Sequence, residues 1–75
     1  MHLTAIIQRD ELPSGGEVFL ATCPELDVVS QGETPDEARA NLREAVEGLL
    51  QVADDAEIGR RLRNGASVEP LKVAA

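Results

Sequence analysis

The sequence predicts a small α+β protein in which three β-strands precede an amphipathic helix, a second short helix and a fourth strand. Three observations favour this class: short β-branched runs separated by turn residues, a strongly marked helix start at residues 34–37, and an alternating run near the C-terminus. The chain has 75 residues, the length of one domain, which we assign to residues 1–75. So short a chain has a thin core, and we expect it to self-associate as a homodimer or a larger homo-oligomer.

The first three strands are expected to form an antiparallel meander. Residues 3–8 are apolar and β-branched, and charged residues 9–11 and the turn residues 13–16 follow them. Residues 17–23 then read as the second strand, which Pro24 ends because proline donates no backbone hydrogen bond. Residues 28–31 give a short third strand that stops at Gly32.

The long helix has the clearest local signal in the chain. Thr34 is predicted to cap the exposed amides, Pro35 suits the first helical position, and Glu37 completes a capping box. The apolar residues that follow share one side at helical spacing over roughly five turns; they are Ala38, Leu42, Ala45, Val46, Leu49, Val52 and Ala53.

The C-terminal third is predicted to hold a second helix and the fourth strand. Asp54 starts the helix and Gly65 ends it, and residues 67–73 alternate as a strand does. Pro70 places that strand on an edge, and a helical crossover would set it beside the first strand and parallel to it. One sheet face stays uncovered in this arrangement. Leu3, Ala5 and Ile7 point to one face and Ile6 to the other, so both faces carry apolar groups. An uncovered apolar face predicts an interface.

Charge and composition narrow the classes of partner. Fourteen acidic residues oppose seven basic ones, giving a net charge of −7, and Phe19 is the single aromatic residue. Attraction to phosphate backbones and base stacking are both disfavoured, whereas a basic protein partner fits. One cysteine, no secretory signal and no apolar run of about 20 residues predict a soluble cytoplasmic domain with no membrane contact.

Few residues qualify as candidates for chemistry. Cys23 lacks an adjacent base, since the only histidine is His2, so we interpret it as a packed thiol. No His or Cys spacing suits a metal, and neither Gly15-Gly16 nor Gly32 opens a phosphate loop. The acids are scattered and the middle of the first strand has none. We therefore predict no catalytic, cofactor-binding or metal-binding residues, and no enzyme.

Two further sets of residues leave alternatives open. Arg60, Arg61 and Arg63 would carry a nucleic-acid-binding role, although the overall charge argues against it. Asn41 and Gly48 lie on the shoulder of the long helix, where they either permit close approach of another backbone or mark the edge of the core.

Residues 19–50 resemble the HicB-type antitoxins. The shared pattern comprises an A-x-C-P-E-L run at residues 21–26, S-Q-G at 30–32, a T-x-x-E-A helix start at 34–38, and A-N-L-x-E-A at 40–45. The resemblance implies a partial ribonuclease H-like fold that lacks the catalytic acids of true ribonucleases H. It supplies no invariant active-site residues that could be transferred to this chain.

The resemblance also implies a function. HicB-type proteins typically neutralise HicA-type toxins, small basic RNA-cleaving proteins, and an acidic domain with few aromatic residues suits the task of covering a basic RNA-binding surface. Many relatives carry a C-terminal DNA-binding segment, for which this sequence has no room. The expected function is therefore an antitoxin-like binding module; the alternatives are a small metal-dependent nuclease or a nucleic-acid-binding regulator.

Overall fold

The computed structural model describes residues 1–74 and confirms an α+β fold with three antiparallel strands and two helices. In chain order the elements are β1 (Ile6–Glu11), β2 (Glu17–Cys23), β3 (Val28–Gly32), α1 (Pro35–Val52) and α2 (Asp55–Asn64). The strand order in the sheet is β1-β2-β3. None of the helices described is long and apolar enough to cross a membrane.

The first strand lies three residues further along the chain than the sequence predicted. Arg9, Asp10 and Glu11 belong to β1, where they pair with Phe19, Val18 and Glu17. The hairpin is tight, since the Leu12 N–H donates to the Gly16 carbonyl at 2.7 Å, and pairing therefore continues through the charged residues. Residues 3–5 are not in the strand. The Thr4 N–H donates to the Glu25 carboxylate at 3.1 Å instead of joining a ladder.

The register assigns each strand residue to one of the two sheet faces. Ile7 pairs with Ala21, and Ala21 in turn pairs with Ser30, so the three side chains share a face. Ala21 and Cys23 are buried on this side, which α1 covers. The opposite face, named here the open face, is formed by Ile6, Gln8, Asp10, Val18, Leu20, Thr22, Val29 and Gln31.

The long helix begins as its sequence predicted. The Thr34 hydroxyl accepts a hydrogen bond from the Glu37 N–H at 3.1 Å, and Pro35 occupies the first turn. The Glu37 carboxylate accepts from the Glu33 N–H at 3.4 Å, one residue before the cap, in place of the Thr34 N–H that a capping box uses. Gly32 lets the helix start approach β3 closely. A Cβ at residue 32 would lie 2.8 Å from the Glu37 carbonyl carbon, too close for any other residue type.

The core is small and lies between α1 and the two strands β2 and β3. Its fully buried residues are Ala21, Cys23, Leu26, Ala38 and Leu42. Partly buried apolar groups pack around them: Leu3, Phe19, Val28, Val46, Leu49 and Leu50. The predicted helix stripe was wrong at its end. Val52 is 84% exposed and Ala45 is exposed, whereas Leu50, outside the predicted stripe, joins the core.

The C-terminal third keeps its predicted helix and shows no fourth strand. Asp54 caps α2 through the Glu57 N–H at 2.8 Å, and Gly65 follows its last turn. Residues 66–74 form neither helix nor strand, and each of them is exposed. One reason is a backbone hydrogen bond at the first residue of this segment. The Ala66 N–H donates to the Pro24 carbonyl at 2.9 Å, which ties the chain to the turn between β2 and β3, away from the edge of β1.

Candidate interaction surfaces

Cys23 stands in a junction that joins the N-terminal segment to the turn between β2 and β3. Its thiol donates to Glu25 Oε1 at 3.6 Å, and the same carboxylate accepts from the Thr4 hydroxyl at 2.6 Å. Cys23 is 1% exposed, and His2, which the sequence offered as its only base, is an exposed residue near the N-terminus. The arrangement joins two chain segments, and the group that accepts from the thiol is a carboxylate, not the imidazole of His2.

The protonation preferences at this junction fit that interpretation. Burial raises the pKa of the Cys23 thiol, and the neighbouring Glu25 carboxylate raises it further. The hydrogen bond from the Thr4 hydroxyl lowers the pKa of Glu25, because it stabilises the ionised form. Cys23 is therefore held as a thiol and Glu25 as a carboxylate, the opposite of what a nucleophilic cysteine requires.

The acidic residues stay apart in the structure. Within residues 1–74, no three His, Cys, Asp or Glu side chains come close enough to hold a metal ion. Several acids instead have a local structural partner. Glu47 pairs with Arg43 at 2.9 Å, Glu57 with Arg61 at 3.5 Å, and Glu17 with Arg9 at 3.7 Å.

The three arginines of α2 do not act together. Arg61 is used within the fold, because it pairs with Glu57 and donates to the Leu26 carbonyl at 3.2 Å. Arg60 and Arg63 are exposed. A shallow depression of about 260 Å³ beside Arg60 and Arg61 also contains the carboxylates of Asp27 and Glu57, so its charge is mixed. The geometry does not build a basic strip.

The two shoulder residues of α1 have different environments. The Asn41 amide donates to the Gln31 carbonyl at 2.8 Å and thereby ties the helix to β3. A Cβ at Gly48 would meet no atom within 4 Å, so this glycine serves no close approach within the chain.

The open face is an apolar surface that no helix covers in the described chain. α1 lies on the other side of the sheet, and α2 makes no substantial contact with any strand. Ile6 is 42% exposed and Val29 is 59% exposed, while Val18 and Leu20 are half-buried between their neighbours. Gln8 and Gln31 flank Leu20 on the two outer strands. An apolar centre with a polar border is typical of protein interfaces.

One end of the sheet concentrates negative charge. At this end, named here the hairpin end, β1 turns into β2 and β3 leads into α1. Its acids come from all of these elements: Asp10, Glu11, Glu17, Glu33, Asp36 and Glu37. Arg9 is the nearby cation, and it pairs with Glu17 while lying 5.9 Å from the centre of the Phe19 ring. The hairpin end is therefore an acidic end of the sheet, with Asp10 on the open face and Glu11 and Glu17 on the helix side.

A groove runs along β1 on the helix side of the sheet. It has a volume of about 820 Å³ and is lined by the N-terminal segment, β1, Cys23 and α1. The apolar part of the lining includes Leu3, Ala5, Ile7, Leu42 and Val46, and the charged part comes from Asp36, Arg39, Arg43 and Glu47 of α1. α1 packs mainly on β3 and β2 and only slightly on β1, and the space left over β1 is this groove. We call it the edge groove.

Fold and surfaces together define a class: a small acidic α+β domain with one helix-covered sheet face, one open sheet face and a free strand edge. Comparisons with protein-family models, with characterised proteins and with solved structures find no match for this chain.

The sequence predicted that one apolar sheet face is uncovered, without deciding which of the two it is, and the edge groove was not predicted. The alternation in residues 3–7 already separated Ile6 from Leu3, Ala5 and Ile7, and the structure keeps that separation. The groove depends on where α1 sits across the sheet. A signal for it was present in Gly32, since a glycine between a strand and a helix cap permits the helix to lie close to that one strand.

Proposed function

We propose that this chain is an antitoxin-like binding module of the HicB type. In this role it inhibits a small basic mRNA-cleaving toxin of the HicA type by covering the toxin's RNA-binding surface. The partial ribonuclease H-like relationship is part of the same proposal. The resemblance of residues 19–50 to the HicB pattern suggests the family, and the open face together with the acidic charge of the chain supplies the physical support.

The open face is the observation that carries the proposal. Ile6 and Val29 expose apolar surface on the two outer strands of this sheet face. Water contact with such a surface costs free energy that a protein partner removes on binding. A flat strand surface with half-buried Val18 and Leu20 at its centre suits another folded protein better than a small molecule, which prefers a deep cavity.

The charge of this chain indicates which kind of protein partner would bind it. The chain carries a net charge of −7, and Asp10 of the acidic hairpin end lies on the open face itself. A partner whose surface is basic, as an RNA-binding surface must be, gains long-range attraction and faster association. Covering that surface would exclude RNA, so that inhibition needs no chemistry from this chain.

The test is binding to, and inhibition of, a small basic RNA-cleaving toxin encoded beside this chain. We expect a complex in calorimetric titration and loss of RNA cleavage at equal molar ratio. Raising the salt concentration from 50 to 500 mM should weaken the complex, since it screens the charge attraction. Absence of binding at low salt would contradict the proposal.

A matched pair of variants tests the surface. Val29→Arg places a cation on the outer strand β3 of the open face, and Val52→Arg makes the same change at an exposed helix position away from it. We expect Val29→Arg to weaken toxin binding at least tenfold and Val52→Arg to change it less than twofold. Equal effects of the two variants would show that the partner does not use the open face.

A further inference from the structure

The outer edge of β1 offers unpaired backbone groups. The Leu12 N–H donates to the Gly16 carbonyl just beyond the last register pair, Glu11 with Glu17, so residue 12 faces the β2 side. Because hydrogen-bonding direction alternates along a strand, Ile6, Gln8 and Asp10 also face β2. Ile7 and Arg9 therefore direct their N–H and C=O groups to the free edge. Such an edge is a template for a further strand.

The same residues border the edge groove. The side chain of Ile7 lies on the helix side of the sheet and lines the groove together with Ala5, opposite Leu42 and Val46 of α1. A strand added to β1 would thus bond to the free backbone groups of β1. Its side chains on the helix side would contact the apolar residues of the edge groove. The sheet is incomplete at this edge.

Residues 67–73 alternate in sequence as a strand does, but residues 66–74 form no strand in the structure. Each is exposed, and the apolar side chains project into solvent: Val68 is 49% exposed, Leu71 87% and Val73 70%. The radius of gyration is 14.3 Å, whereas a compact chain of this length has about 11 Å. Apolar side chains left in solvent favour pairing with a partner surface.

Pro70 fixes which way this segment can pair. Proline has no N–H, so in an edge strand its backbone must face away from the neighbour. Glu69, Leu71 and Val73 then direct their backbone groups towards β1. In an antiparallel pair, residues that bond to each other share a sheet face, so Leu71 and Val73 would enter the edge groove beside Ile7. In a parallel pair, Pro70 and Lys72 would take those positions.

The apolar side of the groove therefore favours the antiparallel arrangement, and the register with Glu69 opposite Arg9 lies beyond the reach of the chain's own segment. Ala66 is tied to Pro24, at the Thr4 end of the sheet. To pair antiparallel with Glu69 opposite Arg9, the chain must first travel about 17 Å along β1. The three residues from 66 to 69 span at most about 11 Å. The strand that fits must come from another molecule.

We propose that residues 67–73 of a second copy of this chain pair antiparallel with the free edge of β1. Glu69 of one copy lies opposite Arg9 of the other, Leu71 opposite Ile7, and Val73 opposite Ala5. This register matches an acid with a base and places two apolar pairs at the groove. A shift by two residues would set Glu69 against Glu11, which is repulsive. Reciprocal exchange between two copies closes as a twofold dimer.

Cross-linking between copies tests the pairing directly. In this register Lys72 lies opposite Ile6 in a closely spaced pair, where two cysteines form a disulfide. We expect Ile6→Cys and Lys72→Cys, prepared separately and mixed, to give an oxidised dimer at higher yield than either alone. The native Cys23 is buried, so the wild-type chain is the background control.

The register is checked with a displaced partner. Asp10→Cys mixed with Lys72→Cys should cross-link at least fivefold less, because residue 10 lies four positions further along β1. Equal yields from the two mixtures would overturn the proposal. So would a chain carrying both Ile6→Cys and Lys72→Cys that closes only an intramolecular disulfide at low concentration, since its own segment would then occupy the edge.

Solution mass and matched substitutions test the energetics. Light scattering of the wild-type chain should give the mass of two chains, and a single-chain mass at micromolar concentration would overturn the proposal. Leu71→Ser should weaken the dimer at least tenfold and Lys72→Ser less than twofold. Both positions are exposed in the isolated chain, so neither change threatens its fold.

A charge exchange separates this contact from toxin binding. Arg9→Glu and Glu69→Arg should each weaken the dimer about fivefold, and the doubly substituted chain should regain most of the loss. Loss without recovery would contradict the register. The dimer contact does not rest on the open face, so failure of one proposal leaves the other standing.

Discussion

The two outer edges of the sheet are built very differently. At the β3 edge, α1 lies close over the strand, and the Asn41 amide bonds to the Gln31 carbonyl. At the β1 edge, each residue of the strand is exposed and the helix leaves a groove. At the β3 edge the helix covers the strand and one outward carbonyl is bonded within the chain, whereas at the β1 edge the helix leaves the strand uncovered.

The difference follows from the short link between β3 and α1. Only Glu33 and Thr34 separate the two elements, so the helix must start above the end of β3. Gly32 permits that start to approach the strand backbone closely. A single helix cannot cover three strands equally when one end is fixed in this way. The strand furthest from the link, β1, is the one left uncovered.

Substitution at Gly32 should disrupt the β3 edge and have the largest effect. The Cβ of Gly32→Ala would press on the backbone of Glu37 and Ala38, which cannot rotate aside. We expect a loss of about 2 kcal/mol or more in the free energy of unfolding, the range of overpacked sites. Urea denaturation at fixed protein concentration measures it.

Gly48→Ala is the matched control for this change. A Cβ at residue 48 meets no atom within 4 Å, and the position lies inside α1. Alanine should stabilise the helix there by up to about 1 kcal/mol. Opposite signs at the two glycines support the close approach at β3, whereas a stabilised Gly32→Ala would show that the helix start can move away.

The local elements were predictable from sequence because local chemistry decides them. The cap at Thr34, the turn glycines and the alternation in β2 each act over a few residues, and the structure confirms these elements. The start of β1 was not predictable in this way. Thr4 leaves the ladder because Glu25, twenty-one residues away, takes its N–H and hydroxyl.

The predicted fourth strand is absent from the described residues for a similar reason, since its formation depends on contacts that are distant in the sequence. Residues 67–73 alternate as a strand does, but a strand needs a neighbour. Which neighbour is available depends on the hydrogen bond between Ala66 and Pro24 and on the position of α1 across the sheet. Neither can be inferred from the sequence of the segment itself. For the candidate surfaces, sequence predicted an uncovered apolar sheet face and could not predict the edge groove.

Substitution at Thr4 should weaken the β1 edge and have an intermediate effect. Thr4→Val keeps the β-branched shape and removes the hydroxyl that donates to Glu25 at 2.6 Å. We expect a loss of about 1 kcal/mol in the free energy of unfolding, the size of one hydrogen bond. The N-terminal wall of the groove, residues 3–5, should also exchange its amide hydrogens faster.

The pH dependence of the stability loss in Thr4→Val tests whether the hydrogen bond to Glu25 causes that loss. The pKa of Glu25 is lowered in the folded chain, so its contribution to stability is present above the unfolded pKa, near 4.5, and disappears as the pH falls through the folded pKa. The difference between wild type and Thr4→Val should therefore be full at pH 7 and shrink below about pH 4. A difference that does not change with pH would assign the effect to packing.

The smallest effect is expected at the end of α1, where the helix extends past its packed stripe. Val52 has the spacing of a buried residue yet is 84% exposed, while Val46 packs against the core. Val52→Ser should change the free energy of unfolding by less than about 0.5 kcal/mol, and the identical change at Val46 should cost about 1–2 kcal/mol.

The comparison of the two valines also tests what covers the helix in solution. If Val52→Ser costs as much as Val46→Ser, the end of α1 must be buried by another molecule, because no part of the described chain covers it. The loss would then depend on protein concentration, as any stabilisation by association does. A small loss at each concentration would limit association to the free edge of β1 and the open face.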